Sequence, residues 1–318
     1  MKSWLIVGWV FFVVVTNAVA QPVPAAEENI PYLVTFGNRA KTSYGDNDFK
    51  QIFYFSIPKD YRKPFYIRVY DPEISGDNDE IIGRPDTKTK FSVYGGKGCI
   101  TKKEAMGGKA GNLLATKTFD TKPTYNGKWY TFGPFNPSQG EDVPRYYGNV
   151  FKIVAEGIEG NDGNLYRYFL STSPSKNIAI DGGNAFTFFY TFRLHADPNQ
   201  VSHIYPYVDD KVISIRQTNF DWDNDGSIKL YSVATMAKPL AVSGDDKSVT
   251  SEYFIKKAEK GTSLDIQFQK RKENSLDNNN VVFYIRNNYG ESMPFYTVPI
   301  GGVPKFKGNP KVVPKGRR

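Results

Sequence analysis

The sequence predicts an all-β protein made of two antiparallel β-sandwich domains of jelly-roll type in tandem. Aromatic residues make up 15% of the chain, and such rings are enriched in strands. Gly, Asn, Asp and Pro recur every few residues, which is typical of short strands joined by turns. No long segment shows the hydrophobic period of a helix. These three observations favour sheets over helices.

The N-terminal half contains at least seven predicted strands. They are the segments 51–57, 65–70, 91–94, 128–132, 150–155, 165–170 and 186–192. Turn residues follow several of them directly, such as Pro58 after the first and the pair Asp71 and Pro72 after the second. Seven short strands without intervening helices fit one β-sandwich.

The strand pattern breaks around residues 195–199 and then restarts, so we predict a domain boundary there. The predicted strands of the second half are 203–208, 212–216, 227–232, 251–256, 264–269, 281–286 and 295–298. The predicted domains are therefore residues 31–196 and 197–303. Segment 281–286 loosely matches segment 165–170, which leaves a duplication of one architecture open. Cys99 is the only cysteine, so an intramolecular disulfide cannot help to hold either half.

The first residues have the pattern of an export signal. A short basic start is followed by the apolar run 4–15, and Ala18 and Ala20 stand at the cleavage positions. We predict a signal peptide at 1–20, a linker at 21–30 and an exported location in the periplasm, on the cell surface or outside the cell. The apolar run is shorter than the about 20 residues of a membrane span. An uncleaved anchor is the alternative, and no later segment is predicted to cross a membrane.

The positive charge is concentrated at one end of the chain. The formal net charge is +8, and the predicted flexible tail 304–318 contains six Lys and Arg residues without an acid. Without that tail and the signal peptide, the body carries about +1. This distribution argues against a groove for nucleic acid. The tail is either a solvated terminus or an arm that touches an anionic surface such as envelope polysaccharide.

The spacing of Asp221, Asp223 and Asp225 before Gly226 is the strongest site signal. Alternating carboxylates with Gly at the sixth position are typical of a loop that binds Ca²⁺. Ser232 stands where a helix-loop-helix site has a bidentate Glu, and the flanks have a strand pattern, so we predict a calcium loop between strands. The missing oxygens would come from water or from one of four acids: Asp209, Asp210, Asp245 or Asp246.

Further acidic residues gather in predicted turns, where loops at one end of a sandwich could share ions. The candidate ligands are Asp46, Asp48, Asp71, Asp77 and Asp79, and a further acidic segment is 156–164. The alternative is that turns simply prefer Asp, Asn and Gly.

The segments 44–58 and 67–72 carry a Gly-Asp-x-Asp turn, an aromatic strand that ends in Pro, and a strand that closes in Tyr-Asp. In these motifs the chain resembles the bacterial pre-peptidase C-terminal type of domain over about thirty residues. The resemblance implies a calcium-stabilised jelly roll with a non-catalytic accessory role. It also implies Asp46, Asp48 and Asp71 as ligands. The chain departs from that pattern by carrying a second predicted half.

Catalytic motifs are weak in this sequence. His195 and His203 do not have a metal-ligand spacing, and a Gly-x-Ser-x-Gly nucleophile motif is lacking. Cys99 lies in a glycine-rich stretch, and its thiol is expected to be either reactive or a buried structural group. A glycosidase with two carboxylates stays open as well, because the fold and not the spacing would set that pair.

Three function classes follow from the sequence. The first is an exported, calcium-stabilised, non-catalytic binding or adhesion module of a bacterial cell envelope, whose partner is a polysaccharide or an envelope protein. The second is a structural subunit of an envelope or secretion assembly, and the third is a polysaccharide-active hydrolase. Candidate carbohydrate-contacting aromatics are Trp129, Trp222, Tyr146 and Tyr147, with burial in the core as the alternative.

Overall fold

The computed structural model describes residues 22–42, 49–102, 108, 110–146, 148–272 and 279–308. These residues form an all-β, antiparallel structure, which confirms the predicted fold class. Helix within them is limited to three-residue 3-10 turns. None of the described helices has the length and apolar character needed to span a bilayer. The predicted signal peptide and most of the basic tail lie outside the described ranges.

The described strands are numbered in chain order. They are β1 Pro22–Val23, β2 Tyr32–Phe36, β3 Lys50–Pro58, β4 Phe65–Tyr70, β5 Lys88–Gly95, β6 Asn112–Phe119, β7 Trp129–Phe135, β8 Glu141–Val143, β9 Gly148–Glu159, β10 Gly163–Ser171, β11 Asn184–Thr187, β12 Phe189–Arg193, β13 Ser202–Ile204, β14 Tyr207–Val208, β15 Ser214–Phe220, β16 Gly226–Tyr231, β17 Lys238–Leu240, β18 Ser248–Phe254, β19 Thr262–Ser263, β20 Asp265–Lys270, β21 Asn280–Asn287 and β22 Phe295–Tyr296.

Two large sheets dominate the structure. The larger has the strand order β18-β15-β21-β12-β2-β10-β4-β7, with β1 added on β10. The second has the order β22-β11-β3-β9-β5-β6, with β8 on β9. A four-stranded sheet, β13-β20-β16-β17, and the pair β14-β19 complete the described strands.

Aromatic side chains join the two large sheets into a shared core. Successive residues of a strand point to opposite faces, so Tyr166 and Tyr168 of β10 turn inward and are fully buried. The ring of Tyr166 meets that of Phe91 edge to face at 5.0 Å, and the ring of Tyr190 on β12 meets Phe53 at 5.3 Å. These contacts bring the faces together as in a sandwich.

The larger sheet continues across the boundary predicted at residues 196 and 197. Strand β12 from the first half pairs with β21 from the second, and β2 lies between β12 and β10. Buried residues from both halves belong to one hydrophobic cluster. The two segments therefore share a sheet and a core, and the division into domains that fold separately stays a prediction.

The linker predicted at 21–30 is instead packed into the folded body. Strand β1 pairs with β10, and Val23 and Glu28 have no exposed surface. Glu28 is enclosed here, although a linker would leave a charged side chain of this kind in water.

Candidate metal centre

Two loops meet at the end of the larger sheet where β15 ends. Residues 221–225 connect β15 to β16, and residues 241–247 connect β17 to β18. Because β15 and β18 are paired, their ends are adjacent. The amide of Asp221 donates to the carbonyl of Lys247 at 3.1 Å, and the amide of Asn224 donates to the carbonyl of Ser243 at 2.7 Å. Backbone hydrogen bonds thus fix the two loops against each other.

This arrangement brings three carboxylates together. One oxygen from each of Asp221, Asp223 and Asp245 lies within 4.8 Å of the others. Asp221 is buried, Asp223 is half-buried and Asp245 is exposed, so the group opens toward solvent on one side. Asp221 and Asp223 adopt left-handed backbone conformations, with φ of 53° and 46°, which Asp tolerates better than most residues. Asp245 was among the acids predicted to complete the site.

Crowding of negative charge is visible in the protonation behaviour of Asp221. Burial, with smaller contributions from the carboxylates of Asp223, Asp245 and Asp246, raises the pKa of its carboxyl to about 6, against a hydrogen bond from the Asp246 amide. That amide lies 2.6 Å from Oδ1 of Asp221. A bound cation would favour the ionised form of Asp221 and relieve the repulsion among these groups.

Asp225, predicted as a third ligand in the motif, points elsewhere. Its Oδ2 lies 3.3 Å from Nζ of Lys270, and both side chains are almost completely buried. Pairing of β16 with β20 places Lys270 opposite Gly226, next to Asp225. The alternating spacing did not reveal this because two consecutive left-handed residues, Asp223 and Asn224, turn the chain before Asp225.

Gly226 also has a different role from the one its position predicted. It does not have the positive φ of a sharp turn. A Cβ added there would lie 2.4 Å from the carbonyl oxygen of Gln269 and 2.5 Å from the ring of Trp222. Glycine is therefore required for close packing of β16 against β20 and Trp222.

The second group of predicted ligands, Asp71, Asp77 and Asp79, is arranged around backbone amides. Asp71 accepts from the amide of Gly127 at 2.8 Å, and Asp79 accepts from the amide of Leu165 at 2.9 Å. Asp77 is exposed. Among the residues that the structure describes, the carboxylates of Asp71, Asp77 and Asp79 do not belong to a group of three ligands close enough to hold one ion. Asp46 and Asp48 lie outside the described residues.

Two of the aromatics predicted to contact carbohydrate are buried. Trp222 has no exposed surface and Tyr146 only 7%, because both pack against other rings of the core. Trp129 is half-buried, and the guanidinium of Arg68 lies 5.1 Å from its ring centre. Tyr147 is outside the described residues.

The histidines make polar contacts that the sequence did not indicate. Nδ1 of His203 lies 2.8 Å from Oδ1 of Asp265, and Nε2 of His195 lies 3.2 Å from Oδ1 of Asn29. Pairing of β13 with β20 brings His203 and Asp265 together. Only this register could have identified the pair, since sixty-two positions separate the two residues.

Cys99 is a buried structural thiol. It has no exposed surface, and burial raises its pKa to about 12. Because the thiolate is the reactive form, we expect negligible labelling by iodoacetamide at pH 8 in the folded protein and complete labelling in denaturant. Mass spectrometry after timed quenching measures the difference. Rapid labelling without denaturant would contradict this placement of Cys99.

No protein-family model matches the chain, and a search of curated proteins found no match.

Proposed function

We propose that the protein binds Ca²⁺ through Asp221, Asp223 and Asp245 and serves as an exported, calcium-stabilised, non-catalytic binding module of a bacterial cell envelope. The observation that carries the calcium part is the convergence of three carboxylate oxygens within 4.8 Å from two hydrogen-bonded loops. Ca²⁺ is a hard cation that takes six to eight oxygen ligands. Backbone carbonyls of the two loops and water would supply the remaining ligands.

Calcium bound there would act mainly on stability. The ion would join the loop that follows β15 to the loop that precedes β18, and it would neutralise the crowded carboxylates. Extracellular calcium modules bind with Kd values of roughly 10⁻⁴ to 10⁻³ M. At Kd near 10⁻⁴ M, about 1 mM calcium would add about 1.4 kcal/mol to the free energy of unfolding. A site of this strength suits a compartment with millimolar calcium, in agreement with the predicted signal peptide.

Calorimetric titration of the mature protein with CaCl₂ tests the site. The wild type is expected to bind calcium and to unfold at a higher temperature when the ion is present. Asp223→Asn removes one carboxylate from the group and should weaken calcium binding at least tenfold. Asp60→Asn is a matched control, because this exposed carboxylate lies outside the group and outside the predicted ligand sets. Absence of both heat and a thermal shift in the wild type would defeat the calcium proposal.

The envelope role is supported by the predicted export signal at residues 1–20. The proposed partner is a polysaccharide or another envelope protein. A glycan array probed with and without EDTA distinguishes the function classes. Glycan binding supports a binding module, whereas a scaffold subunit would ignore every glycan. Release of soluble sugar from a polysaccharide would instead indicate a hydrolase.

A further inference from the structure

The outer face of the larger sheet carries an apolar groove. On β21, Phe283 and Ile285 belong to the core, so Val282 and Tyr284 point to the opposite face. Outward positions of an antiparallel sheet are usually polar when that face is solvated. Here Val282 and Tyr284 lie beside Phe189 of β12 and Phe220 of β15. All four residues line one cavity of about 320 Å³.

Two stacked rings form an aromatic platform in this groove. Phe189 and Tyr284 are directly opposite each other in the pairing of β12 with β21. Their rings are stacked with centres 5.6 Å apart and an angle of 13° between the planes. Both residues are half-buried, so part of the ring surface faces the cavity. Phe220 and Val282 are buried and form the floor.

A cation and hydroxyl groups border the platform. The exposed Arg286 places its guanidinium 5.8 Å from the ring centre of Tyr284. Ser248 and Ser292 also line the cavity, and its described lining contains no carboxylate. The groove therefore combines a half-buried aromatic pair with hydrogen-bonding groups and one positive charge at its edge.

A second cavity shares one lining residue with the groove. Ser292 lines both, and the second cavity has a volume of about 300 Å³. Tyr207 and Tyr296 contribute rings there, and Arg145 and Asp209 contribute opposite charges. Each volume lies near the lower end of the range for small-molecule sites, roughly 300 to 1,000 Å³. Two such cavities side by side suit an extended ligand made of small repeating units.

The geometry points to an anionic polysaccharide as the occupant, with a sugar ring packed against the exposed ring surface of Phe189 or Tyr284 and a sugar carboxylate bound to Arg286. One face of a pyranose ring presents C–H groups that can lie flat on aromatic rings, while its hydroxyls reach polar groups at the border. Arginine suits a carboxylate because its planar guanidinium can form two parallel hydrogen bonds. This inference rests on the proposed binding function and names its ligand class, but it does not require the calcium site.

Binding of the full mature chain to immobilised polygalacturonate tests this assignment, with fully methyl-esterified polygalacturonate as the uncharged counterpart. The wild type is expected to bind the acidic polymer more tightly than the ester. Tyr284→Ala should weaken binding to both polymers at least tenfold. Arg286→Gln should remove the preference for the acidic polymer. Tyr289→Ala and Arg84→Gln change exposed residues outside the groove and should bind as the wild type does.

The outcomes separate this inference from the proposed function. If the wild type binds polygalacturonate and both groove variants bind equally well, the groove assignment is overturned while a binding function stands. If the wild type binds neither polymer, the groove assignment is overturned, and the glycan array and the calcium titration decide the proposed function separately. Binding that persists in EDTA supports the groove and counts against a calcium requirement. A wild-type dimer that Tyr284→Ala converts to monomer would assign the face to self-association and overturn the proposal.

Discussion

Replacing Lys270 with Met is expected to lower the free energy of unfolding by about 3 to 5 kcal/mol at neutral pH, because it leaves a buried carboxylate without its counter-ion. The side chains of Lys270 and Asp225 are 4% and 0% exposed, and their charged atoms lie 3.3 Å apart. Lys270 also donates to Oδ1 of Asn279. Urea unfolding followed by tryptophan fluorescence measures the loss.

Two further variants distinguish loss of this ion pair from loss of a lysine in general. Lys238→Met changes an exposed lysine on β17 and should alter stability by less than about 0.5 kcal/mol. The double variant Lys270→Met with Asp225→Leu removes both charges and should be more stable than Lys270→Met alone.

Asp225→Asn should leave calcium binding nearly unchanged, because the carboxylate faces Lys270 rather than Asp221 and Asp223. A large loss of calcium affinity in Asp225→Asn would instead show that Asp225 is a calcium ligand.

Stability is expected to fall as pH rises from about 5 to 8 because of Glu28. Burial raises the pKa of this carboxyl from 4.5 to about 8, although the Ala25 amide donates to it. Between these two pKa values the folded protein keeps the proton while the unfolded chain has lost it. The stabilising contribution is therefore complete below about pH 4.5 and is lost as pH rises through about 8. One pKa unit corresponds to about 1.4 kcal/mol, so the loss is roughly 3 to 5 kcal/mol.

Glu28→Gln isolates this contribution, because a neutral amide cannot ionise. The difference in unfolding free energy between wild type and variant, measured in urea at pH 5, 6.5 and 8, should change steadily in favour of the variant. Glu27→Gln is the neighbouring control and should retain the wild-type slope, since Glu28 keeps its enclosure. Parallel pH curves for wild type and Glu28→Gln would show that the carboxyl is not held neutral in the core.

The fold class could be predicted from local pattern, but strand pairing could not. Runs of aromatic residues in segments 51–57 and 165–170 identified β3 and β10, which bury most of their residues. Strand β2 was missed although Tyr32–Phe36 is rich in strand-forming residues. Its five residues directly follow the predicted linker. The pairing of β12 with β21 could not be inferred, because long-range partners are chosen by the packing of whole sheets.

The site was predicted in part. The motif identified the loop 221–225, which supplies Asp221 and Asp223 to the group of three carboxylates, and Asp245 was among the acids expected nearby. The sequence could not show that Asp225 would turn to Lys270, because that depends on the pairing of β16 with β20. It also could not show that Trp222 would be enclosed or that Phe189 and Tyr284 would meet. Spacing along one segment reports local geometry, whereas these contacts join segments far apart in the chain.

The place of β21 between β15 and β12 has a consequence for synthesis. Strand β12 leaves the ribosome long before β21, so its outer edge has no native partner until residues 280–287 emerge. During that interval the nascent chain exposes an unsatisfied row of amides and carbonyls, which invites pairing with other chains. A truncated product that ends soon after residue 196 would keep this edge permanently. We therefore expect such fragments to aggregate or to be captured by chaperones rather than to accumulate as monomers.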